Sequence, residues 1–382
     1  MILGLPRERH RLEHRAGLTP SAVSRLVRAG HQVVVESGAG ADARFGDRDY
    51  ERAGGQIVYG PEEAYRRAEL VCRVGMLATD ELDLLARGST ICSFHHLAVV
   101  PRETVERLMD LEVTLLGYEI VADPDGMLPV LVPISEMAGQ MAVHTAAGLL
   151  RNQAGGRGIL LGAVPGVPPP TVLVVGAGTV GTAAARQALA AGAHVIVVDA
   201  ELRRLRRLAG EVPPPMGPVV TAIASTDRLE RFTAIADVVI GAVLVPGGRT
   251  PYLVTEDMVR AMKEGSVIVD VAVDQGGCVE TSRPTTLADP TFQVHGVVHS
   301  CVPNMTSDIA RTASRALADA ALPYVSRIAE VGLEAALRRD PGLARGVYLY
   351  RGTLVHSLVG DLLGLPAPPL EDVLEGAGGR GA

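Results

Sequence analysis

At 382 residues the chain is longer than one hydrophobic core usually supports, so two domains are expected. Hydrophobic residues at 47% and charged residues at 21% exclude wholesale disorder, and a formal net charge of −7 leaves no basic surface for nucleic acid. With no Trp, four Phe, 43 Gly and 25 Pro, burial must rest on Ala, Val and Leu between many tight turns.

Residues 2–5 read as a short buried strand, and the charged run that follows leaves no apolar stretch for a signal peptide. Thr19 and Pro20 supply an N-cap and a first-turn proline for a helix ending near Gly30, with Val23, Leu26 and Val27 at helical spacing. Strands are expected at 31–36, 70–74, 90–94 and 113–117, with a helix over 61–68. Strands alternating with helices imply a mostly parallel sheet. A second α/β series starts near Pro133, with strands at 172–175, 194–198, 238–240 and 267–271.

Residues 159–185 carry no charge, but Pro165, Pro168, Pro169 and Pro170 would break a membrane helix, so the stretch reads as loop, strand and glycine turn and no membrane partner is expected. The basic run 203–207 sits at helical spacing and reads as a solvated face. From about Ser307 a helical pattern begins, interrupted at Pro323, and is expected to pack back on the first domain. The tail after Pro366, rich in Pro and Gly, is expected to be loosely ordered. Cys72, Cys92, Cys278 and Cys301 form no metal-ligand spacing and no disulfide framework, which predicts no metal site and a cytoplasmic location.

The most specific local signal is Gly176-Ala177-Gly178-Thr179-Val180-Gly181. It follows an apolar strand and opens a helix, the context in which such a loop binds a dinucleotide: one glycine for the turn, one for the approach of the pyrophosphate, one for helix-on-strand packing. The next strand ends in Asp199, 23 residues after Gly176, where a carboxylate accepts from ribose hydroxyls and repels a 2′-phosphate, so NAD is expected over NADP. Arg203 and Arg204 leave room for some NADP tolerance.

A carboxylate-bearing stretch, Val269-Asp270-Val271-Ala272-Val273-Asp274-Gln275-Gly276-Gly277, follows a later strand. With it, and with Glu13-His14-Arg15-Ala16-Gly17-Leu18-Thr19-Pro20, His96-Leu97-Ala98, Pro133-Ile134-Ser135-Glu136-Met137-Ala138-Gly139 and Gly241-Ala242-Val243-Leu244-Val245-Pro246-Gly247 in the same order, the sequence resembles the alanine dehydrogenases over nearly its whole length. A proton-translocating transhydrogenase subunit shares the fold, but the Asp274-Gln275-Gly276-Gly277 stretch looks more like the dehydrogenases.

The resemblance implies an α/β protein of two Rossmann-like doubly wound domains with mostly parallel sheets: 1–132 plus 311–382 for the substrate, 133–310 for NAD. It implies oxidative deamination of an L-amino acid to a 2-oxo acid, or the reverse, by a homo-oligomer, a homohexamer in the family. Arg15 is suited to a bidentate grip on the substrate carboxylate. His96 is suited to acid–base work, its neighbour His95 then being packed or solvated, and Asp274 to supporting proton transfers, whereas Asp270 would anchor a structural hydrogen-bond network. Cofactor contacts implied are Ser135, Gly176, Gly178, Thr179, Val180, Gly181, Asp199, Arg204, Ser225, Val243, Leu244, Asn304 and Met305.

The sequence departs from the family at Gly75, where a substrate-contacting Lys is expected, at 303–312, and at Ile134 in place of Met. Two readings follow: an amino-acid dehydrogenase whose substrate is not alanine, or a non-catalytic NAD-binding homologue.

Overall fold

The computed structural model describes residues 1–10, 12–212 and 218–378, the last two by backbone alone. The chain divides into two compact units: Met1–Ile134 with Pro246–Gly248 and Ser307–Ala382, and Ser135–Val245 with Arg249–Thr306.

The first unit carries β1 (Ile2–Leu5), β2 (Gln32–Glu36), β3 (Gln56–Val58), β4 (Leu70–Cys72), β5 (Thr90–Ser93) and β6 (Thr114–Gly117). The second carries β7 (Thr171–Val175), β8 (His194–Asp199), β9 (Val220–Ile223), β10 (Val238–Gly241), β11 (Val267–Asp270), β12 (Thr291–Val294) and β13 (Val297–Ser300). The chain then returns to the first unit with β14 (Val347–Tyr350) and β15 (Thr353–Leu354). The first sheet runs β15-β14-β6-β5-β4-β1-β2-β3, and β1 to β6 pair in parallel. The second runs β12-β13-β11-β10-β7-β8-β9, parallel except for β12. Each sheet therefore starts in its middle, winds to one edge and resumes on the other side. The switch points lie between β1 and β4 and between β7 and β10, where open α/β sheets hold their ligands.

The apolar strands follow from burial on both faces. In the second unit Val172, Val174, Val195 and Val197 belong to one core cluster, while Leu173, Val175, Ile196 and Val198 belong to another, the period-2 alternation of a sheet covered on both sides. Each fully buried Val, Leu or Ile contributes roughly 1.5–3 kcal/mol. The helix Pro20–Arg28 starts as its sequence predicts, with the Thr19 hydroxyl accepting from the Ala22 N–H at 3.3 Å.

Two sequence expectations are overturned. The last long helix, Ala310–Val331, runs unbroken through Pro323. Pro323 and Asp319, whose carbonyl loses its partner to the proline, both face solvent, so water can satisfy that oxygen while Leu322 and Val325 hold the opposite face in the core. The tail is not loose within the described residues: a helix forms over Leu370–Gly378, Leu374 is buried, and its carbonyl accepts from Arg338 at 2.9 Å. Residues 379–382 lie outside the described residues. No helix among the described residues is long and apolar enough to cross a membrane.

Candidate functional site

In the second unit the glycine loop leaves the carboxyl end of β7 at the switch point. Gly176 has φ +108°, and a Cβ there would lie 2.5 Å from the Ala242 carbonyl oxygen; at Gly181 it would lie 1.8 Å from that of Gly176. Both glycines are required by close backbone approach. Gly178 differs, because a Cβ there would meet nothing within 4 Å. Internal packing gives no reason for glycine at that position, whereas the approach of a phosphate to the N-terminus of the helix Thr179–Ala190, whose N-cap is Gly178, does. The loop therefore fits a dinucleotide.

Asp199 closes β8, where its Oδ2 accepts from the Ala177 N–H at 2.7 Å and its Oδ1 from Glu201 N–H at 2.8 Å. It thus ties the glycine loop to the end of β8. Arg204 sits 3.9 Å from Asp199 and 2.7 Å from Glu201. The Ala224 N–H bonds the Asp199 carbonyl at 3.0 Å, which brings exposed Ser225 to the same edge. Val243 and Leu244 follow Ala242, the residue on which Gly176 packs. Ser135 is buried in the first turn of the helix Val132–Leu149; a Cβ on Gly139, one turn later, would lie 2.3 Å from the Val180 carbonyl oxygen, so this helix packs on the loop.

The two aspartates after β11 divide their work. Asp270 is 1% exposed and accepts from the N–H groups of Ala272, Cys278 and Val279 at 3.1, 3.0 and 3.1 Å, which makes it a structural clamp. Asp274 is half-buried, and its Oδ1 accepts from the Asn304 N–H at 3.0 Å, Asn304 having φ +52° and being followed by buried Met305.

In the first unit buried charged side chains follow the carboxyl ends of β1, β4 and β6. Arg15, 2% exposed, is gripped by Glu13 through Nε at 2.7 Å and Nη2 at 2.6 Å. Arg73, just after β4, donates through Nη1 to Glu81 (2.8 Å) and Tyr65 (2.7 Å) and through Nη2 to Glu8 (3.0 Å). Burial pushes the Glu8 carboxyl up and the adjacent Arg73 guanidinium opposes it; the carboxylates in turn hold Arg73 protonated. Gly75 follows, its N–H donating to Glu8 at 3.2 Å; a Cβ there would lie 3.3 Å from the Glu8 carboxylate and 3.8 Å from Glu13. Glu8 and Glu13 line a cavity of about 220 Å³ together with Arg7, Arg9, His10 and Asp42.

The two histidines after β5 have different environments. His95 is 2% exposed, and burial pushes it down to about 4, so it is a neutral packed group with Nε2 3.3 Å from the Ile91 carbonyl oxygen. His96 reaches solvent with 12% of its side chain and adopts a left-handed backbone, φ +45° and ψ +44°. Phe94 stacks near its ring, at 6.1 Å between centroids. Beneath it, Glu119 Oε1 accepts from the backbone N–H of His95 at 3.0 Å, the N–H of His96 at 2.6 Å and the Tyr348 hydroxyl at 3.0 Å.

Sequence reasoning singled out Arg15, His96 and Asp274 as candidates and did not single out the buried charged groups Glu8, Glu13, Arg73, Glu81 and Glu119. For Glu8, Arg73 and Glu119 the signal available was a charged residue just past the end of an apolar strand, where burial demands a partner.

Comparison with known proteins bears on these features. Family models described as alanine dehydrogenase/PNT, N-terminal domain and C-terminal domain match residues 4–138 and 142–357. An alanine dehydrogenase of Mycolicibacterium smegmatis is 42% identical over 366 residues, 96% of this chain and 98% of that protein. One of Halomonas elongata is 43% identical over 365 residues, 96% and 97% respectively. A solved L-alanine dehydrogenase superposes with a TM-score of 0.87 at 44% identity, covering 95% of this chain and 99% of the other. The transhydrogenase of Sinorhizobium meliloti gives 0.74 at 25% identity, covering 93% and 99%.

Proposed function

Since the chain belongs to the alanine dehydrogenase/PNT family, we propose that it is an NAD-dependent L-amino-acid dehydrogenase, interconverting an amino acid with a 2-oxo acid and ammonium. The observation that carries this reading is the placement of Arg15 and His96 beyond carboxyl ends of parallel strands in one sheet, the position where such sheets keep their chemistry. The glycine loop and Asp199 would hold the dinucleotide, and the Asp199 carboxylate favours ribose hydroxyls over a 2′-phosphate. Ser135, Arg204, Ser225, Val243, Leu244, Asn304 and Met305 complete the proposed cofactor contacts. When bound, the nicotinamide supplies the hydride acceptor or donor.

The remaining roles belong to the side chains. Arg15, preset by Glu13, offers a planar guanidinium to the substrate carboxylate. His96 moves the proton of the reacting amine or hydroxyl. Asp274, held by the Asn304 N–H, supports the transfers. We further assign the substrate to an amino acid other than alanine: Gly75 supplies no cation between the Glu8 and Glu13 carboxylates, and a cavity adjoins them. A cytoplasmic homohexamer completes the reading, and light scattering would test the assembly.

Incubating the purified protein with NADH, ammonium and a panel of 2-oxo acids, while following the absorbance of the reduced cofactor, tests the assignment. Turnover of a larger 2-oxo acid in preference to pyruvate is the expected result. NADH binding without turnover of any member would make the protein a non-catalytic nucleotide binder.

A further inference from the structure

We propose that Glu119 is the positioning residue of His96: it fixes the histidine backbone and presents the carboxylate that offsets the imidazolium formed in turnover. The inference rests on the reading of His96 given above. Three facts of geometry carry it. One carboxylate oxygen, Oε1, binds the consecutive N–H groups of His95 and His96, which pins His96 in a left-handed conformation that a histidine rarely holds alone. His96 Nδ1 lies 4.0 Å from the same oxygen, within ion-pair range but beyond a hydrogen bond. Finally, Nδ1 of His96 and Oε2 of Glu119 are both buried without a hydrogen-bond partner. An open imidazole nitrogen and an open carboxylate oxygen on two side chains that approach to 4.0 Å mark a contact that closes when the imidazole becomes charged.

A substrate N–H or O–H bond breaks, an Nε2–H bond forms on His96, and the electron pair of the broken bond stays on the substrate. The positive charge appears on the imidazolium, whose Nδ1–H turns to Glu119. Glu119 takes no proton. A base oriented and charge-balanced by a third group is the general arrangement of such sites.

The groups facing the pair do not compete for this role. His95 is neutral above about pH 4 because of its burial. Tyr348 and Tyr118 are pushed up by burial and stay protonated, His356 is pushed down by burial, and the Arg73 charge acts on His95. Glu8, Cys72 and Cys92 bear on Tyr118. Within the first unit Glu119 is the carboxylate that comes within ion-pair range of His96, at 4.0 Å.

E119Q is the deciding variant in the full-length protein, because a glutamine oxygen still accepts both backbone N–H groups while the charge is gone. The expected result is a loss of about tenfold or more in kcat with KM changed less than about threefold, and a pH limb for amino-acid oxidation that moves roughly one unit lower. E119D keeps the charge one methylene further away and should fall between parent and E119Q. Independently of turnover, histidine-labelled protein followed by NMR should show His96 releasing its proton at lower pH in E119Q than in the parent, with His96→Ala assigning the signal. If E119Q keeps the parent kcat and the His96 titration is unmoved, Glu119 is a backbone brace and the proposal falls. Should the parent turn over no 2-oxo acid, it is the assigned activity that fails, and the titration alone decides for or against Glu119.

Discussion

Two sheets with the same winding are furnished in opposite ways. In the second unit the carboxyl edge is built of backbone: glycines that touch carbonyl oxygens, an N-terminus of a helix, and Asp199 spending both oxygens on main-chain N–H groups. In the first unit the same edge is built of buried charged side chains, Arg15 with Glu13 and Arg73 with Glu8 and Glu81. A ligand common to many proteins can be met by main chain, which every sequence has. One particular to this protein has to be met by side chains held in place against the cost of burying them.

That contrast is broken most directly at its chemical end. His96→Ala should lower kcat by ~10²–10⁴-fold while leaving NADH affinity unchanged, as steady-state kinetics beside calorimetry would show. A loss smaller than about tenfold would place the acid–base group elsewhere. Next comes Arg73→Met, which strands Glu8 and Glu81 in the interior and should cost about 3–5 kcal/mol in denaturant unfolding. A cost below about 1 kcal/mol would mean that the first unit does not depend on its buried charges.

His95 sharpens the comparison through pH. Its value is about 4 folded against 6.5 unfolded, so the unfolded chain takes up the proton first as pH falls. The contribution is complete above pH 6.5 and is lost toward pH 4, amounting to about 3 kcal/mol at 1.36 kcal/mol per unit. Unfolding free energies of parent and His95→Gln measured from pH 7 to 4.5 should converge as pH falls. Parallel curves would show that His95 titrates alike in both states.

On the other side, Asp199→Ala should weaken NAD binding by about 1.5–3 kcal/mol and narrow the preference over NADP, measured by calorimetry with both cofactors. Asp199→Asn, which can still accept from Ala177, separates the loop tie from the charge. The smallest expected effect on stability is at Gly178: alanine there meets nothing within 4 Å and should change unfolding by less than about 0.5 kcal/mol, yet reduce cofactor affinity. A Gly178→Ala protein that binds NADH as the parent does would remove the loop from the cofactor site.

The legibility of the two edges in the sequence follows the same division. The strand at β7 and its glycine loop could be read from the consecutive letters Thr171 to Gly181, because their demands are local: burial on two faces, a turn, a close approach. Glu8 and Arg73 lie 65 residues apart and Glu119 and Tyr348 lie 229 apart, so their meaning exists only after folding. Short strands such as β3 and β15, too brief for a pattern, escaped for a related reason. Pro323 misled because a local rule about proline was set aside by an exposed neighbour on the helix.

The left-handed backbone at His96 has an evolutionary price attached. A glycine at that position would relax the strain, and His96→Gly should be more stable than His96→Ala by about 1 kcal/mol. Selection for thermal robustness alone would therefore drift toward discarding the imidazole, and any library screened by melting temperature should be expected to enrich inactive protein at this one residue.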